Sequence, residues 1–230
     1  MTAYPMWKLR RLAPRSLRVL ERRKSEAPVL AAYEPRLVPV AERFMTTYDR
    51  ATAYRSTWLR EIAEGRGAMS VLTNTVQGWL PLIAGDIANL NTSDFVAAPV
   101  ADDVVNAARL LIDMASGHVD AQGNALPYRE ALVTDVGAKI AASLKERAEA
   151  EAADRMYQQF LADARVACRE FNVLLQAFRK SLGTLFGRND MDFQKLRVQR
   201  AAQRDEEDDP GAPVPDLPDA PGDADDDIAA

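Results

Sequence analysis

From Phe44 to Ile83, the chain can be laid out at an alternating spacing of four and three. The positions are Phe44, Tyr48, Ala51, Arg55, Trp58, Ile62, Gly65, Met69, Leu72, Val76, Trp79 and Ile83. Ten of these twelve are apolar, in a chain whose overall apolar share is 47%. Side chains at this spacing fall on one stripe of an α-helix, and such a stripe demands a partner stripe. A second run reads Ala153, Tyr157, Phe160, Ala164, Ala167, Phe171, Leu174, Phe178, Ser181 and Leu185. Upstream of it, Leu132, Val136, Ile140, Leu144 and Ala148 step by four, a period that drifts around a helix, so the seam is not a uniform coiled coil.

No segment shows the two-residue alternation of a half-buried strand. The expected fold is therefore all-α: an elongated antiparallel helical hairpin or bundle with coiled-coil-like heptad seams. Long helices are expected at about 40–90 and 127–186, with a shorter one over 101–116. Pro99 and Asp102 or Asp103 mark the start of the short helix, and Ser116-Gly117 marks its stop. Asp120 to Asn124 is turn chemistry. Gly65 and Gly67 could break the first long helix, although the register crosses them unchanged. Pro81 is expected to kink it. Met191–Gln203 suits a short basic helix.

Charge divides the chain into three regions. Residues 1–24 carry a balance of +7, residues 205–230 carry eleven carboxylates without Lys or Arg, and the intervening stretch is nearly neutral. Residues 1–27 read as a basic amphipathic arm, 28–200 as the helical bundle, and 201–230 as a disordered acidic tail rich in Pro and Asp. Pro14 is expected to interrupt the arm's amphipathic stretch. No apolar h-region follows the N-terminal cations, so the chain reads as lacking a signal peptide and as cytoplasmic, with membrane association as the alternative setting. Between Gly67 and Gly85 lie nineteen uncharged residues, read as a buried helix and, alternatively, as a segment able to enter a membrane.

Catalytic schemes find little support. One His and one Cys exclude His-pair metal motifs and Cys-based zinc cages. His118 stands at a helix end and Cys168 beside a heptad stripe, both ordinary structural settings. Gly65-Arg66-Gly67 has neither the third glycine nor the preceding strand of a phosphate loop. The acidic tail lacks the turn glycine and closing glutamate of a calcium loop. No catalytic residue, cofactor, metal site or small-molecule substrate is assigned, and the chain is read as a non-enzyme.

What remains is a scaffold or adaptor acting through protein–protein association, self-association included. The seam residues Arg55, Trp58, Trp79, Asp86, Phe171 and Phe178 are the candidates for partner contact. Arg55 and Asp86 are the polar intruders that would fix register or pairing. Asp86 would there pair with a base or keep a raised pKa. The alternative is docking on an anionic membrane surface through Lys8, Arg10, Arg11, Arg15, Arg18, Arg22, Arg23 and Lys24. A third reading is nucleic-acid binding through the same arm and Lys195–Arg204, autoinhibited by the acidic tail.

Overall fold

The computed structural model describes residues 5–87, 90, 95, 101–120 and 122–197. Six helices are formed among them: α1 Met6–Arg23, α2 Pro28–Ala31, α3 Glu34–Asp86, α4 Ala101–Gly117, α5 Arg129–Phe186 and α6 Met191–Lys195. No strand occurs among the described residues, where one isolated bridge joins Val119 to Ala125. The fold is all-α, with long packed helices. Residues 198–230, which include the acidic tail, lie outside the described part, as do Pro99 and the side chain of Asp102.

Contacts divide the chain into two compact units. The first is Met1–Thr52 with Phe160–Ala230, and the second is Ala53–Gln159. In each, α3 and α5 run antiparallel, because residues later in α3 meet residues earlier in α5.

The first unit is built around that pair. Phe44 stacks on Phe171 with ring centroids 5.4 Å apart, and Tyr33 meets Phe178 edge-on at 5.4 Å. Leu37, Phe44, Phe171, Leu175 and Phe178 are wholly buried. α1 adds Met6, Leu9, Leu12, Ala13, Ser16, Val19 and Leu20 to the buried set. Pro14 does not interrupt this helix, contrary to the sequence expectation. A proline inside a helix loses one backbone hydrogen bond, and burial of an entire α1 face outweighs that loss. α2 starts on Pro28, whose missing amide costs nothing at a first helical position. Gly187, at φ 86°, turns the chain out of α5. Asp190 then caps α6, its carboxylate accepting from the amides of Asp192 (2.8 Å) and Phe193 (3.1 Å).

The second unit has two parts. At one end, α4 joins α3 and α5 around a core that includes Leu72, Val76, Ile83, Val104, Leu111, Leu132 and Val136. The Asp120 carboxylate holds the turn after α4 by accepting from the amides of Gln122 (2.9 Å) and Asn124 (2.7 Å). His118 directly follows α4, its amide donating to the Met114 carbonyl at 3.1 Å. At the other end, α3 and α5 face each other with no other described helix between or over them. From Thr52 to Val71 no α3 residue is fully buried. The helix is nonetheless continuous across Gly65 and Gly67, and Pro81 also lies inside it.

All twelve α3 stripe positions are buried or half-buried. In α5 the expected register slips after Phe171. Leu175 and Leu182 are buried, whereas Leu174 and Ser181 are half-buried and Leu185 is exposed. In this stretch α5 has neighbours other than α3: Phe193 of α6 packs at Gly183, and Tyr33, which precedes α3, bonds to Ser181. A single-partner seam is therefore not what sets burial there.

Candidate functional site: two interaction surfaces

The first surface lies in the second unit, along the stretch where α3 and α5 are paired without a third helix among the described residues. Trp58 is half-buried and stacks on Tyr157 at 4.5 Å, while its indole N–H donates to the Asp154 carboxylate at 3.0 Å. Arg55, one turn earlier, is half-buried and enters no ion pair among the described residues. Gly65 permits the close approach of the helices, since a side-chain carbon there would sit 3.2 Å from the Ala150 Cβ. A groove of about 570 Å³ follows, its described lining coming from α3 and α5, with Ile62, Gly65, Met69 and Ala150 giving its apolar floor. Its rim mixes Arg66, Arg147 and Arg155 with Glu151 and Asp154. A two-helix seam of this width leaves apolar side chains half in water.

The other seam residues named from sequence are engaged within the chain. The Trp79 indole donates to Asp135 at 3.0 Å and stacks on Tyr128 at 6.0 Å. Asp86 is exposed at the end of α3, and its partner is the Tyr128 hydroxyl at 2.7 Å rather than a base. Asp86 and burial together push the Tyr128 phenol up to about 12, burial being the larger cause. Phe171 and Phe178 are wholly buried in the first unit against residues of their own chain.

The second surface is the outward side of α1 in the first unit. Lys8, Arg11, Arg15, Arg18 and Arg22 recur at spacings of three and four. At ~100° per residue they share about 80° of arc, beside the buried apolar face. Trp7 lies at the N-terminal end of this row, with Lys8 at 5.0 Å and Arg11 at 4.8 Å from its ring. Arg11, Arg15 and Arg18 enter no ion pair among the described residues.

Arg10, Arg23 and Lys24, together with Arg22 at the end of the row, serve as internal ties. Arg10 grips Asp49 with two hydrogen bonds, of 2.9 and 2.7 Å. Lys24 pairs with Glu21 and Glu34. Arg22 and Arg23 both reach Asp192 on α6, and Arg23 also reaches Asp190 at 3.0 Å. Burial alone would raise the Asp192 carboxyl, but the hydrogen bonds and charges of Arg23 and Arg22 together hold it below the usual carboxylate range. Sequence reasoning grouped eight cations as one surface. Helical phase sets Arg10, Arg23 and Lys24 apart from the row, and that phase was legible in the spacing of Lys8, Arg11, Arg15, Arg18 and Arg22.

A third feature escaped the sequence reading. At the end of α5 a groove of about 940 Å³ is lined by Arg179, Lys180, Arg188 and Arg197, with no carboxylate among the described residues of its walls. Local basic density between Arg179 and Arg197 was the signal available for it.

Cys168 is buried. Among the described residues no group of three His, Cys, Asp or Glu side chains is placed to hold a metal ion, and no helix is long and apolar enough to cross a membrane. The chain matches no protein-family model, no curated protein and no solved structure.

Proposed function

We propose that the protein is a non-catalytic helical scaffold or adaptor that works through protein–protein association, a second copy of itself included. The observation that carries this reading is the half-covered seam from Arg55 to Met69. There, among the described residues, Trp58, Ile62 and Met69 stay half-exposed on a surface built by α3 and α5. A further helix laid along the groove would remove that apolar surface from water, worth roughly 25 cal/mol per Å² before ordering costs. The rim carries charges of both signs, so an antiparallel copy can set arginines of one protomer against Glu151 and Asp154 of the other. Arg55 supplies the polar position that fixes register.

Light scattering over a wide concentration range tests this. The expected result is a mass that rises with concentration for the full chain and stays monomeric for Ile62→Glu combined with Met69→Glu. A monomeric parent chain at every concentration, or unchanged association of the double variant, would contradict self-association.

A second reading rests on the α1 row. Its cations face outward while the helix's apolar face is buried in its own unit. Attraction to an anionic membrane would then be chiefly electrostatic, about 1 kcal/mol per cation near the surface. Flotation with phosphatidylcholine vesicles, with and without phosphatidylserine, tests it. Binding that needs the acidic lipid, fades with salt and is lost on replacing Arg11, Arg15 and Arg18 by Gln supports this reading. No binding, or preference for duplex DNA over the vesicles, removes it.

A further inference from the structure

The groove at the end of α5 belongs to neither surface above. Four cations converge on it: Arg179 and Lys180 from α5, Arg188 from the turn, and Arg197 after α6. Among the described residues, its walls contain no carboxylate. Lys180, Arg188 and Arg197 enter no ion pair among the described residues. Arg179 is held in place. Its Nε donates to the Phe193 carbonyl at 3.3 Å, and its guanidinium lies 4.2 Å from the Phe193 ring. A guanidinium fixed in this way needs little further ordering to receive a carboxylate. Phe193 is itself seated against Gly183, where a side-chain carbon would come within 2.7 Å of its ring. The groove is therefore assembled by specific packing, and Lys180, Arg188 and Arg197 are exposed at it.

The position of Arg197 identifies that ligand. This residue lines the groove, and the chain continues from it toward the acidic tail. Asp205-Glu206-Glu207-Asp208-Asp209 begins eight residues further on. Fully extended, that connection reaches about 28 Å at most. It is long enough to turn back and short enough to keep the carboxylates near the groove at an effective concentration in the millimolar range. Five negative charges tethered beside four positive ones attract strongly at low ionic strength and much less beyond a Debye length of ~8 Å in physiological salt.

We propose that the α5–α6 groove is a carboxylate-binding site occupied by residues 205–209 of the same chain. The tail thereby neutralises the groove and competes with any other acidic segment for it. Neither the seam reading nor the α1 reading is needed for this assignment.

Lys180 provides a direct test, since a zero-length carbodiimide joins a lysine amine only to a carboxylate in contact with it. The full-length protein is coupled at low salt as an equal mixture of unlabelled and nitrogen-15-labelled copies, and linked peptides are read by mass spectrometry. The expected link joins Lys180 to residues 205–209 within one copy, and its yield falls several-fold at high salt. Replacing Arg188 and Arg197 by Gln, which leaves Lys180 in place, lowers the yield several-fold while the circular dichroism spectrum is kept. Links between copies, links from the tail only to Lys195 or Lys8, or a yield indifferent to salt and to the double replacement would each overturn the proposal.

Discussion

Asp192 is the buried carboxylate among the described residues, with a side chain 4% exposed, and two arginines of α1 close on it. Its ionised form is favoured in the folded state, so the stability it contributes is fully present above about pH 5. That contribution is lost as pH falls through the depressed folded value. Asp192→Asn is expected to cost about 1–3 kcal/mol at neutral pH, because Arg23 loses a charged partner in a half-buried setting. Urea unfolding across the acid range checks this: the variant's stability should fall less steeply on acidification than that of the parent. Tyr128 titrates in the opposite sense. Its phenol is raised to about 12, so its contribution is present below pH ~10 and disappears as pH rises through the folded value. Alkaline difference absorbance against Tyr128→Phe should show this late titration, and Asp86→Asn should bring it back toward the ordinary tyrosine range. No feature of the sequence announced either pairing. Asp86 was visible as a polar intruder, but its partner comes from 42 positions away, and Asp192 and Arg23 are separated by 169. Only the fold brings such groups together.

Two glycines two residues apart, and so on nearly opposite sides of the helix, separate packing from propensity in α3. At Gly65 an added carbon meets Ala150 at 3.2 Å and the Glu146 carbonyl at 3.5 Å, whereas at Gly67 nothing lies within 4 Å. Gly65→Leu should therefore destabilise by about 1–3 kcal/mol through overpacking. Gly67→Ala should stabilise by up to about 1 kcal/mol through helix propensity alone. Midpoints of urea denaturation at constant slope would display the opposite signs. The first long helix was readable because α3 presents one face to α5 for most of its length, and a single partner preserves a single stripe. The second was readable only in part. α5 has α6 and Tyr33 as further neighbours near its end, so residues flanking the expected stripe, such as Leu175 and Leu182, are drawn into the core. Pro14 misled the sequence reading in another way. Local helix rules count its lost hydrogen bond, but they cannot count seven buried α1 residues that hold the helix in place.

Across the molecule, charge and apolar surface are put to different uses. In the first unit the N-terminal cations divide between internal ties and an outward row. In the second unit the same two long helices, without a third among the described residues, leave a groove with a mixed-charge rim. The uneven cover along α3 underlies the proposed scaffold role. Heptad spacing revealed that a partner stripe exists, but it could not reveal where that stripe is incomplete, since α4 covers one part of the second unit and not the other. The cation groove was equally hidden, because its members come from a helix, a turn and the chain beyond α6.

Hydrogen exchange measured along α3 at rising protein concentration tests the seam most directly. Amides from Arg55 to Met69 should gain protection as copies associate, while those from Leu37 to Ala51 and from Leu72 to Ile83 should keep the protection they have in the dilute chain. Protection that is independent of concentration throughout α3, or that rises only outside Arg55–Met69, would contradict the assignment of that stretch as the associating surface.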